Sequence, residues 1–310
     1  MLSRVAESLY WLGRYHERAE NTARLIQVNA NLILDLPKGL VPDWEPLITI
    51  LGRAELYNER HPELTERRII NFLISDEHNP DSILSCLSLL RENARTIREI
   101  LPREGWEVIN TLYNEASDNK VQSYARHSRL EYLNKITRGL QLLTGLLAGS
   151  MTHDLGYVFL NLGRKLERAD MTTRIIDVRA ENTIPSDAPE LRPFEDILWM
   201  SMLKSLSGYQ MYRQTMQLRI SRDDVLKFLF CGHKFPRAVR FCIENMNYYL
   251  SELPNSQSCV KLLNKLNETL GTAVENCKDN DSLHKYIDDV QIQLANVHDR
   301  ISKNYFPKIV

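Results

Sequence analysis

The sequence predicts an all-α fold, a multi-helix bundle formed by two tandem, pseudo-symmetric helical halves. Three observations predict it. Only 12 Gly and 12 Pro interrupt 310 residues, and the stretches between them carry apolar residues three and four apart, the spacing of one helix face. Alternating, strand-type patterns are nearly absent. A pattern close to the N-terminus returns 150 residues later.

Taken in order, the periodicity predicts helices over 3–34, 44–57, 63–75, 80–100, 104–118, 121–148, 152–181, 191–218, 222–230, 235–251, 255–277 and 281–303. Turn formers separate several of them. Pro37-Lys38-Gly39 closes the first, Asp76-Glu77-His78-Asn79-Pro80 precedes the fourth, Pro185-Ser186-Asp187 follows the seventh, and Leu253-Pro254-Asn255-Ser256 precedes the eleventh.

The repeat sets Leu12-Gly13-Arg14-Tyr15-His16-Glu17-Arg18-Ala19-Glu20-Asn21-Thr22-Ala23-Arg24-Leu25-Ile26-Gln27-Val28 against Leu162 to Val178. Ten of the seventeen positions are identical, where ordinary residue frequencies give about one. Trp44-Glu45 pairs with Phe194-Glu195 at the same offset. With a few insertions, Pro80-Asp81 to Cys86 matches Pro236-Arg237 to Cys242, and Leu101-Pro102 matches Leu253-Pro254. Markers in the same order predict halves at 1–150 and 151–310, packed around a shared core as one compact domain.

On a helical wheel Val5, Leu12, Ala19, Ala23 and Ile26 form an apolar stripe flanked by Trp11 and Tyr15. Arg14, Glu17, Arg18 and Arg24 fall opposite, and Arg164, Glu167, Arg168 and Arg174 repeat them. A solvated face held by Glu20→Arg24 and Asp170→Arg174 pairs explains charge, but not why identities coincide in two diverged copies. Two constrained readings stand: a buried network fixing the halves, or a cleft whose arginines bind a carboxylate, phosphate or peptide. The candidate ligand- or partner-binding residues are therefore Arg14, Glu17, Arg18, Glu20, Arg24, Arg164, Glu167, Arg168, Asp170 and Arg174. Trp44, Phe194, Tyr10 and Trp11 read as core aromatics, and Met200, Met202, Met211 and Met216 as core filler.

A net charge of −1 argues against nucleic acid and anionic membranes as partners. No segment is long and apolar enough to span a bilayer, and the charged N-terminus lacks a secretory apolar run, so the expected location is cytoplasmic. Five cysteines without C-x-x-C spacing read as reduced, buried thiols. No Glu-x-x-His, His-Glu-x-x-His, P-loop or dinucleotide fingerprint occurs, so no metal or cofactor is implied.

The opening Met1-Leu2-Ser3-Arg4-Val5-Ala6-Glu7-Ser8-Leu9-Tyr10-Trp11-Leu12-Gly13-Arg14-Tyr15-His16-Glu17-Arg18-Ala19-Glu20-Asn21, with Gly163 to Asp170 in the second half, resembles the bacterial alpha-E domain proteins. The resemblance extends over the whole chain. It implies a setting beside, or fused to, a circularly permuted ATP-grasp protein and a transglutaminase-like protein, in ATP-dependent formation or modification of peptides or amides. It implies no activity for the domain itself. Three functions stand on the sequence: a partner or substrate-binding module of such a system, an enzyme using Glu17 or Glu167 as general base, and a structural scaffold.

Overall fold

The computed structural model describes residues 2–35, 44–181, 192–216, 219–271, 277 and 279–307. The chain order is α1 Ser3–Asp35, α2 Glu45–Ile50, α3 Ala54–Arg60, α4 Glu66–Ile74, α5 Ile83–Thr96, α6 Arg103–Asp118, a 3-10 turn Lys120–Ser123, α7 Arg126–Ser150, α8 Leu155–Glu181, α9 Arg192–Ser205, α10 Tyr209–Thr215, α11 Arg222–Cys231, α12 Val239–Ser251, α13 Gln257–Leu270 and α14 Asn280–Tyr305. Among the described residues there is no strand, and the fold is all-α.

Short polar side chains set several helix starts by accepting an amide that the first turn leaves unpaired. Thr65 accepts from Arg68, Ser82 from Ser85 and Ser221 from Asp224, while Asp279 and Ser282 form a reciprocal capping box. Ser82 therefore starts α5 at Ile83 rather than at 80. The helix expected over 44–57 is two, because Gly52 turns the chain with a φ of +65° that suits a residue without Cβ. The helix expected over 191–218 breaks at Ser207, whose φ is 53°, giving α9 and α10. The turns at Pro37-Lys38-Gly39 and Pro185-Ser186-Asp187 lie outside the described residues.

Helix α1 is packed by α5, α7, α8, α9 and α14, and α8 is packed in turn by α2, α9, α12 and α14. The central pair runs parallel, since Gly13 faces Leu160 and Arg164 while Glu17 faces Arg168 further along. Two glycines let the backbones touch. A Cβ on Gly13 would overlap the Leu160 carbonyl oxygen, and one on Gly163 would overlap that of Tyr10. Both overlaps involve main-chain atoms, so no rotamer change relieves them. Tyr10 and Leu160, like Gly13 and Gly163, are 150 positions apart.

One contiguous core takes residues from both ends of the chain, including Leu9, Leu12 and Ile26 with Leu162, Ile176 and Trp199. Tyr10 is fully buried and reaches α14, its hydroxyl 2.8 Å from His298 Nδ1. Trp44 is buried beneath the Arg129 guanidinium, 5.5 Å from its ring. Met202 joins the core, but Met211 faces outward at 42% exposure because the break at Ser207 re-aims α10. All five cysteines are free thiols, four of them buried. Burial pushes the Cys86 and Cys242 thiols up, away from thiolate.

Candidate functional site

The charged side of the repeated helix is not a solvent face. Because neighbours surround α1 and α8, Glu17 is 0% exposed and Glu167 2%, with Arg14 and Arg168 at 11%. Charges taken out of water must be paired, and these pair across the two helices. Glu167 Oε2 accepts from Arg14 Nε at 2.6 Å and from the Arg18 terminal nitrogen at 3.0 Å, and its Oε1 accepts from Arg18 Nε at 2.6 Å. Glu17 makes the reciprocal arrangement, receiving Arg168 through Nε at 2.8 Å and a terminal nitrogen at 2.7 Å. Each fork is two-pronged, the geometry that makes Arg–carboxylate bonds strong.

Two residues outside the repeated helices complete the lattice. Asp81 receives Arg18 and Arg53, and Arg237 bonds Glu17 at 2.8 Å, Asn21 at 2.7 Å and Glu20 at 3.0 Å. Local folding places Asp81: Asn79 donates to the Phe72 carbonyl at 2.9 Å and accepts the Asp81 amide at 3.0 Å, fixing the turn before α5. Neither residue came from reading the helix faces. The signal was present, however, in the match of Pro80-Asp81 to Pro236-Arg237, which puts opposite charges at aligned positions next to a network of fixed charge.

That reversal explains where the two copies differ. Arg14 pairs with Glu167, but the corresponding partner of Arg164 would be Glu17, which Arg168 and Arg237 already occupy. Arg164 donates instead to the Thr144 hydroxyl at 3.1 Å, and its Nε has no hydrogen-bond partner. Burial, then repulsion from Arg168, lowers its pKa. Glu20 binds Arg24, which also reaches Ser207, and Asp170 binds Arg174 at 2.9 Å. Of the ten candidate residues, nine stand in ion pairs among the described residues and Arg164 is the exception.

The electrostatics keep the lattice charged. Burial alone would raise the Glu167 carboxyl, but Arg14 and Arg18 overcome it and hold the group at about 2, below its ordinary 4.5. Arg168 and Arg237 likewise hold Glu17 well below the usual range against its burial. A carboxyl depressed in the folded state contributes stability above its unfolded pKa and loses it as pH falls through the folded value. The urea midpoint is therefore expected to fall steadily as pH drops from about 4.5 towards 2, and Glu167→Gln to flatten part of that slope. An unchanged slope in the variant would refute this assignment.

His16 lies beside the lattice, donating through Nε2 to the Leu140 carbonyl at 2.8 Å. Burial, helped by Arg164, lowers its pKa to about 4, so it is neutral at pH 7. His16, Glu17 and Glu20 place ligand-type atoms within 4.8 Å of one another. Both carboxylates already accept from guanidinium groups, so a cation here would have to displace Arg237 and face Arg168. Asp177, His284 and Asp288 form a second such group, where His284 Nδ1 lies 2.7 Å from Asp177 and joins α14 to α8.

Comparison with known proteins places the chain in a family. The chain is 23% identical over 274 residues to an uncharacterised protein of Mycobacterium bovis and to two uncharacterised proteins of Mycobacterium tuberculosis. These alignments cover 82% of this chain and 30% of each relative, so the chain spans about a third of the length of the curated relatives it matches. No solved structure matches. A family model described as "a predicted alpha-helical domain with a conserved ER motif" matches residues 1–306, and this chain carries Glu-Arg pairs at Glu17-Arg18 and Glu167-Arg168, which bind one another across α1 and α8. The chain belongs to the Alpha-E family.

Proposed function

We propose that this chain is a non-catalytic helical module that docks onto a circularly permuted ATP-grasp ligase, working with a transglutaminase-like protein in peptide or amide formation or modification. The observation that carries its non-catalytic character is the state of Glu17 and Glu167. Each is buried, and each carboxylate oxygen accepts from a guanidinium. A general base needs a free lone pair within reach of its substrate, and exposing one here would strand two buried arginines. The length of the mycobacterial relatives supports the modular part, since a domain that fills about a third of a longer chain works alongside others. An ATP-dependent partner favours the cytoplasm. Among the described residues, no helix is long and apolar enough to cross a membrane.

We further infer that residues 1–150 and 151–310 descend from one duplicated unit. The reciprocal pairs Glu17–Arg168 and Glu167–Arg18 and the reciprocal approaches at Gly13 and Gly163 support this, being related by one sequence offset. The Glu-Arg motif then serves to fasten the two copies. The docking role is tested by co-purifying the tagged chain with a circularly permuted ATP-grasp ligase of the same organism. Retention of the ligase at stoichiometric level is expected. Failure to associate with or without ATP and a peptide substrate would contradict the reading.

A further inference from the structure

Helices α8 and α12 pack against one another, and where the first turn of α8 meets the end of α12 they line a partly open groove of about 390 Å³, within the size range of small-molecule sites. Local folding sets its walls. Asp154 accepts the Gly156 amide at 2.7 Å and so starts α8, which leaves His153 and Tyr157 one turn apart with their rings stacked at 3.8 Å. The His153 ring is held in turn by the Ala148 carbonyl, 3.1 Å from Nε2. Tyr248 and Tyr249 are consecutive on α12 and so point about 100° apart, their rings inclined at 67°. Tyr248 is 65% exposed, and Glu252 ends the helix beside it. All six side chains line the groove, and no Lys or Arg does. Neither Asp154 nor Glu252 stands in an ion pair among the described residues. Arg164 acts on the Tyr249 hydroxyl, but it donates to Thr144 and does not line the groove.

We propose that this groove binds an organic cation, an alkylated ammonium or a guanidinium, among its tyrosine rings, with Asp154 and Glu252 as countercharge. The rings set the sign of the ligand. An aromatic face carries negative potential, and several rings grouped together form the cage that recognises alkylammonium groups. The carboxylates point the same way, since an anion would meet two negative charges with no base in the wall to offset them. Both carboxylates belong to exposed residues, so they attract a cation without the desolvation cost of a buried pair. The arrangement is particular to this end of the chain. The offset that relates the two motif helices sets Glu7 against Tyr157, and the match of Leu101-Pro102 to Leu253-Pro254 sets Ile100 against Glu252. A cation of this kind occurs in a free quaternary amine and in a basic residue of a peptide. The groove is separate from the lattice and does not rest on the docking role.

The test is a titration of the full chain, with isotope-labelled tyrosine rings, against choline, N-acetyl-argininamide and 3,3-dimethylbutan-1-ol. The alcohol has the shape of choline with carbon in place of the charged nitrogen. The cations are expected to shift the ring signals of Tyr157, Tyr248 and Tyr249 with a Kd on the order of 1 mM, the range open to ligands of this size, and the alcohol to leave them in place. Tighter binding of N-acetyl-argininamide assigns the groove to a basic residue of a peptide, and tighter binding of choline to a free quaternary amine. Tyr248→Ala and Glu252→Gln alter exposed side chains, so the unfolding midpoint is expected to hold while each weakens binding of the cations about threefold. No saturating shift with either cation, an affinity for the alcohol equal to that for choline, or unchanged affinity in both variants would overturn the proposal.

Discussion

Glu17→Ala is expected to lower the unfolding free energy by about 3–5 kcal/mol, the cost of removing one partner from a buried ion pair. The substitution leaves Arg168, which binds both Glu17 oxygens, without its only carboxylate partner among the described residues. Arg237 keeps Glu20 and Asn21 but faces an unpaired guanidinium. Since domains are stable by only about 5–15 kcal/mol, this single change consumes roughly a fifth or more of the total. Urea denaturation followed by circular dichroism reads it as a fall in midpoint at constant slope. A loss below about 1 kcal/mol would mean that the pairs behave as exposed ones.

Gly163→Ala is the second large effect, and its sign is the informative part. In a helix, alanine is favoured over glycine by about 1 kcal/mol, so propensity alone predicts a more stable protein. At this position, however, the new methyl overlaps the Tyr10 carbonyl oxygen of α1. Relief requires the central helices to separate, stretching the ion pairs one turn away, and overpacking of this kind costs about 1–3 kcal/mol or more. An overlap with main-chain atoms puts the cost at the upper end of that range, and the net expectation is a loss of about 2 kcal/mol. Gly145→Ala provides the contrast, since a Cβ there meets nothing within 4 Å and the propensity gain stands alone. Thermal unfolding of the two variants is expected to move in opposite directions.

The all-α class, the two long helices and most boundaries were legible because apolar spacing reports helix faces directly. Less legible were breaks that depend on single backbone angles. Gly52 and Ser207 interrupt runs whose apolar spacing continues through them, and periodicity is blind to φ. The motif's location was legible from the coincidence of Arg and Glu in both copies. Its burial was not, because a wheel shows which residues share a face and says nothing of how many neighbours a helix has. A charged face reads as solvated only when one side of the helix is free, and α1 has helices packed against it from both halves. Asp81 and Arg237 lie in turns, where no periodicity marks them.

The Glu17-Arg18 and Glu167-Arg168 pairs fasten α1 to α8 by direct, buried pairing. A double-mutant cycle on Glu17→Ala and Arg168→Met, read by urea denaturation, tests it most directly. The double variant is expected to be more stable than the sum of the single losses allows, with a coupling energy of about 2 kcal/mol, as for residues sharing one buried network. Additivity within about 0.5 kcal/mol would contradict the claim, since it would mean that the two residues act independently.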